Sequence, residues 1–357
     1  MNAIFGQRLH QARVIKGCSL RDLAGMMEGK VSHNALARYE RGEMMPGSEN
    51  LVALSAALGQ PVDFFFRPFK VQLREIRFRK KARLTKGREE SAKGKAAEFF
   101  ERYREVEELT ASHQPYEPPF KNKKRLEKPE DAEQAANDLR GQWQLGTDPI
   151  PNVMALMEEK GIKIFETELD KQLDGFCTED NDEEPLVVIN QIHNIPRKRM
   201  TCVHELAHVV LNLPNDEELE EEIAWHFAGA FLLPKETFTA AMGGNRHKFV
   251  IRELIELKRR FGVSIMGIMK RARQLDLIDD KTARGFWIYA SKMKWRANGE
   301  PGDNQKEDQP CFCSETPMRF RHLVWRAVSE NLISISKGAA LLKEDVTTFR
   351  RQLRDII

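Results

Sequence analysis

The sequence predicts a mainly α fold with a small β-sheet (α+β), and three observations carry that expectation. Apolar residues recur at helical spacing along most of the 357 residues, and Ser, Asp or Gly stands at the ends of many of these runs. Only between Ile162 and Asn190 does the pattern change to short alternating or continuous apolar runs. At 41% hydrophobic the chain can build ordinary cores, and its length fits two to three domains. Shifts in composition divide it into a helical bundle (1–68), a basic and helical linker (69–128), a mixed domain (129–290), a flexible loop (291–318) and a C-terminal helical unit (319–357).

Five short helices are expected in the first segment. Ile4, Leu9 and Ala12 mark the first, Ser19 caps a second ahead of Leu20, Leu23 and Ala24, and Glu28-Gly29-Lys30 breaks the pattern. Ser32 then caps SHNALARYERGE, which Gly42 can end in the left-handed conformation. Glu49 to Leu58 and Val62 to Phe66 close the bundle. Two short helices joined by a tight turn, the second with exposed polar residues in its first turn, form a helix-turn-helix arrangement. Leu20 to Gly42 resembles the XRE family of helix-turn-helix regulators, with Leu23-Ala24, Val31-Ser32 and Tyr39-Glu40-Arg41-Gly42 as landmarks. The resemblance implies that His33 and Asn34 reach base edges, that Arg38 follows one turn later, and that Ser32 and Arg41 contact phosphate. Asn suits adenine, Arg suits guanine, and a helix start attracts phosphate.

Phe69 to Lys95 is strongly basic and interrupted by Gly87; it reads equally as a solvated linker and as an extra phosphate-contacting stretch. Phe99, Phe100, Tyr103, Val106 and Leu109 then lie at helix spacing, and Pro115, Pro118 and Pro119 end that helix in a linker.

Past Pro129 the spacing predicts helices over Glu130 to Gln142 and Ile150 to Lys160, the latter ended by Gly161. Strands follow at Ile162 to Glu166, Leu173 to Thr178 and Leu186 to Asn190, with a polar hairpin connection at Asp180 to Pro185. An edge strand of such a sheet can hold an extended peptide by main-chain hydrogen bonds. Next comes MTCVHELAHVVLNL, Met200 to Leu213, which sets His204 and His208 four residues apart inside an apolar run. Residues four apart share a helix face, so both imidazoles can bind one metal ion, and Glu205 beside them can accept a proton from water. The alternative is a buried helix whose histidines are only hydrogen-bonded; burying two histidines and a glutamate without partners is costly. A tetrahedral site needs a third protein ligand, and EEEIAWHFAGAFLLP supplies candidates. Stepping back three from Ala224, which shares a face with Phe227, Ala228 and Phe231, gives Glu221; Glu222, grouped with Trp225 and His226, is the second choice and His226 the third. Two histidines and a glutamate favour zinc. Asp216, Glu217, Glu218 and Glu220 read as an acidic helix start favoured by the macrodipole.

From Pro129 to about Ile278 the chain resembles the ImmA/IrrE family of zinc metallopeptidases. The residues that carry this are His204-Glu205-Leu206-Ala207-His208, Glu221 three before Ala224, Phe227-Ala228, Leu232-Leu233-Pro234 and the Phe261-Gly262-Val263-Ser264 turn. It implies a zincin-like fold, zinc on His204, His208 and Glu221, Glu205 as general base, and a DNA-binding repressor as a frequent target. Ile223 and Trp225 depart from the more polar residues expected there.

Lys248 to Arg260 and Ser264 to Leu275 continue as helices. Gly299 to Pro310 lacks periodicity and reads as a mobile loop, and Cys311-Phe312-Cys313 as a free-thiol loop. Phe320 to Ile357 reads as two or three short helices capped by Ser336 and Asp345, with a packing or dimerisation role. Five scattered cysteines, no apolar run long enough to span a bilayer and no signal peptide point to a reduced cytoplasmic setting. The expected protein is a regulator that binds a palindromic double-stranded DNA operator as a homodimer. Its zinc endopeptidase would cut a repressor, a toxin-like partner or the chain itself; the alternative is a non-proteolytic sensor.

Overall fold

Local sequence signals place the first helices where the computed structural model has them; the structure describes residues 2–74, 76, 84–302 and 315–354, without the side chains of 296 and 298. Helices α1 (Asn2–Lys16), α2 (Leu20–Met26), α3 (His33–Glu40) and α4 (Ser48–Leu58) are followed by a 3-10 turn at Val62–Phe66. Their core holds Phe5, Leu9, Ala12, Leu23, Leu36, Leu54 and Phe65. Phe5, not Ile4, is the inward residue of the first turn, and Ile4 is only partly covered. Ser19 and Asp22 form a reciprocal cap on α2, while Glu28 and Gly29 take left-handed φ values of 54° and 74° in the turn before α3. Gly6 is required at the crossing of α1 with the end of α3, because a Cβ there would lie 2.4 Å from the Glu40 carbonyl oxygen.

Helix α5 (Lys86–Leu109) is longer than the periodicity indicates, since it includes the basic stretch from Lys86 onward and Gly87 sits in its first turn without breaking it. Phe99, Phe100, Tyr103 and Val106 are buried, but Leu109 is 39% exposed. Then come β1 (Lys124–Arg125), α6 (Asp131–Gln142), α7 (Val153–Glu159), β2 (Lys163–Thr167), β3 (Gly175–Glu179) and β4 (Pro185–Asn190). The chain continues through α8 (Ile195–Val210), β5 (Leu211–Asn212), α9 (Glu217–Leu232), α10 (Lys235–Met242), α11 (Ile251–Phe261) and α12 (Ile265–Gln274). It ends with α13 (Asp280–Lys292), α14 (Trp295–Asn298), α15 (Arg319–Ser329), α16 (Ile335–Leu342) and α17 (Val346–Gln352). Ser334, not Ser336, caps α16, and Asp345 caps α17. Residues 303–310 of the expected loop, and Cys311 to Cys313, lie outside the described residues.

The described residues form two compact units: 1–114 with 178–186 and 318–357, and 115–177 with 187–317. This grouping cuts across the divisions drawn from composition. In the first unit α5 packs on α1 and α15, so the stretch after residue 86 is core rather than spacer. In the second, α9 packs on both α8 and α6, and the sheet runs in the order β2-β4-β3, with β1 paired in parallel to β5 as a separate ribbon. The fully buried Arg199 of α8 pairs with the equally buried Glu315 at 2.7 Å, and Glu315 also accepts the Met154 N–H at the start of α7.

Candidate metal centre and nucleic-acid interface

Helix α8 begins at the Asn194 cap, with Pro196 in its first turn, and from Thr201 to Val210 it is buried on nearly every side. Val203, Leu206, Ala207 and Val210 fill the surrounding core, which leaves His204 fully buried and Glu205 nearly so. Helix α9, started by the Asp216 cap, lies against it and presents Glu221. The Nε2 atoms of His204 and His208 are 3.1 Å apart, and a Glu221 carboxylate oxygen lies 3.5 Å from the first and 3.9 Å from the second. Ligands held 2.0–2.1 Å from a tetrahedral zinc ion stand about 3.3 Å from one another, so these three atoms fit one ion with little adjustment. Glu222 is exposed and outside this cluster. Burial and the Arg271 guanidinium push the His226 imidazole below its usual value, and His226 too is outside the cluster.

Two neighbours of the cluster are not evident in the sequence. Glu220, grouped there with the acidic helix start, accepts a hydrogen bond from His208 Nδ1 at 3.1 Å. That bond fixes the ring so that Nε2 faces the cluster. Burial works against a charged His208, yet the Glu220 bond and the charges of Glu205, Glu220 and Glu221 together raise its pKa above 6.5. Trp225 lies on the His204 ring, with centroids 4.3 Å apart, and so shares a side with Glu221 instead of turning away with Glu222. Their spacing of four residues would have paired them; the apolar periodicity of α9 outweighed it.

Strand β3 approaches Glu205 from the sheet. A Cβ on Gly175 would lie 2.9 Å from Thr201 of α8, so β3 and α8 nearly touch there. Two residues along the strand, on the same face, Cys177 hydrogen-bonds Glu205; burial first, then that carboxylate, push its thiol well above the usual range. A second group of metal-type donors, Glu107, His113 and Glu184, differs in kind: Arg319 lies 2.9 Å from Glu107 and Arg104 3.4 Å from Glu184, which balances both carboxylates.

On the helix-turn-helix, Ser32 caps α3 by accepting the Ala35 N–H at 3.2 Å. Ser32, His33, Asn34, Arg38 and Arg41 are all exposed, and Leu36 and Tyr39 hold the opposite face in the core. Arg41 and Arg38 share Glu43, at 2.5 and 3.5 Å. His33 and Asn34 lie in the first turn of α3, where groove contacts are made in this motif.

These features define a helix-turn-helix regulator joined to a domain of a peptidase family. Residues 9–65 match the helix-turn-helix family model, and residues 157–273 match that of the IrrE N-terminal-like domain. The second match spans β2 to β4, α8 and α9, and therefore every residue of the candidate metal centre. Comparison with curated proteins gave no match. No described helix is long and apolar enough to cross a membrane.

Proposed function

We propose that this chain is a DNA-binding regulator whose IrrE-like domain is a zinc-dependent endopeptidase acting on a regulatory protein, either a repressor or toxin-like partner or the chain itself. The observation that carries this reading is the spacing of the His204, His208 and Glu221 donor atoms, with Glu205 beside them. His204, His208 and Glu221 hold the metal, and Glu220 keeps His208 oriented. A bound zinc ion supplies a Lewis acid that acidifies water and polarises a peptide carbonyl. Glu205 takes the proton from the attacking water and delivers it to the departing amine. Trp225 and the core around α8 limit water at this site, which strengthens the charge interactions within it. On the other domain, His33, Asn34 and Arg38 read bases while Ser32 and Arg41 hold phosphates.

The test compares, by mass spectrometry, cells making the wild type and the Glu205→Gln variant, with zinc content measured for both proteins. The expected result is unchanged zinc and protein fragments that appear only with Glu205 intact. Identical fragment patterns under several stresses, with operator binding retained, would replace the peptidase by a sensor that adjusts DNA binding without cutting protein.

A further inference from the structure

Within the first unit, the C-terminal helices repeat the geometry of the helix-turn-helix. Ser19 caps α2 and Ser334 caps α16, and at the same distance along the chain from each cap stands a left-handed residue, Glu28 at φ 54° and Lys343 at φ 56°. The next helix then starts at Ser32 in one case and at Asp345 in the other. Each of these side chains accepts the N–H three residues on, from Ala35 at 3.2 Å and from Thr348 at 2.9 Å. One residue further, the fully buried Leu36 and Phe349 hold each second helix in its core. A glycine permits the close crossing at the C-terminal end: a Cβ on Gly338 of α16 would lie 2.8 Å from the Phe349 ring and 2.7 Å from Val328 of α15.

The outward face of α17 carries charge of one sign. Thr347, Arg350 and Arg351 share a face that turns away from Phe349, and Arg354 follows just past the helix end; all four are exposed. Arg351 stands as far from its cap as Arg38 does on α3. The remaining arginines and lysines of α15 and α16, and Lys343 after them, are each paired with a glutamate. Arg350, Arg351 and Arg354 have no ion pair among the described residues. Packing accounts for the paired cations and leaves these three without a role. An unbalanced cationic face on the second helix of such a turn suits the evenly spaced phosphates of duplex DNA.

We infer that α16 and α17 form a second helix-turn-helix that binds double-stranded DNA, with Arg350, Arg351 and Arg354 on phosphates and Thr347 toward a base edge. Its sequence preference is slight, because phosphates carry no sequence information and a threonine hydroxyl suits more than one base. Helix α5 carries both bundles, since α1 and α15 pack on it. Once α3 holds a duplex, the second contact is intramolecular and adds to overall affinity. The inference rests on the DNA-binding reading of α3, and the test separates the two.

Binding of the full chain to a fluorescent random-sequence duplex is followed across a salt series. Arg350→Gln with Arg351→Gln should lower the salt slope by about two units, whereas Arg350→Lys with Arg351→Lys keeps both charges and should retain the wild-type slope. An unchanged slope for the glutamine pair overturns the inference. So does a lysine pair that falls as far as the glutamine pair, which marks a packing role. A photoreactive residue at Thr347 in otherwise wild-type protein gives a second reading that needs neither arginine variant to fold, and it should cross-link to the duplex. Cross-linking from Asn34 with none from Thr347 removes the second helix-turn-helix alone; cross-linking from neither position removes the DNA-binding reading with it.

Discussion

His208 illustrates how much a single neighbour decides. Its Nδ1 bond to Glu220 fixes which nitrogen faces the candidate metal centre. Glu220→Ala should therefore weaken zinc binding about 10- to 100-fold while leaving the fold intact, measured by competition with a chelating dye. Unchanged affinity would reduce Glu220 to a surface acid. On the DNA side, residues in one exposed turn should act differently. Asn34→Ala is expected to cost about 1–3 kcal/mol and relax base preference at one operator position. Arg41→Ala should weaken all sequences alike and lower the salt dependence by about one unit of slope. Binding assays on operator variants across a salt series check both, and reversed behaviour would exchange the two roles.

Between elements, a buried ion-pair network ties α5 to the C-terminal helices of the first unit. Glu98 lies 2.8 Å from Arg102 and 2.8 Å from Lys343, and Arg102 also donates to the Leu341 carbonyl. Burial alone would raise the Glu98 carboxyl, yet Arg102 and Lys343 hold it below its usual value. Burial also lowers the Lys343 ammonium, so the permanently charged Arg102 is the firmer partner. A carboxyl whose folded value is depressed adds stability above its unfolded value, near 4.3, and loses it as pH falls through the folded one. Glu98→Gln should cost about 3–5 kcal/mol at neutral pH, because it leaves the buried Arg102 guanidinium unbalanced. The gap from wild type should close in acid below the unfolded value, as thermal melts across pH will show; a gap that persists there would mean that Glu98 acts by packing.

At the scale of the molecule, a helix-turn-helix domain and an IrrE-like domain share one chain. One recognition helix reads few base pairs, so discrimination calls for a two-fold dimer on a palindromic operator. Light scattering of the protein with a full operator should give two chains per duplex, and a half-site should bind much more weakly. A single chain bound with full affinity would remove the dimer.

The sequence by itself determined the helix-turn-helix, the three strands and the pairing of His204 with His208. These depend on contacts within a few residues: caps, turns and spacing along one helix. It also favoured Glu221 over Glu222, because the apolar face of α9 is legible one turn away. Tertiary structure alone decided the rest. Whether Glu220 is a solvated acid or a histidine partner depends on how α9 lies against α8, and so does the stacking of Trp225 on His204, although its place on the Glu221 side follows from their spacing of four residues. That segment 71–74 lies along the end of β3 is a pairing between residues about a hundred positions apart, and main-chain hydrogen bonds of that kind leave no periodic signal in the sequence.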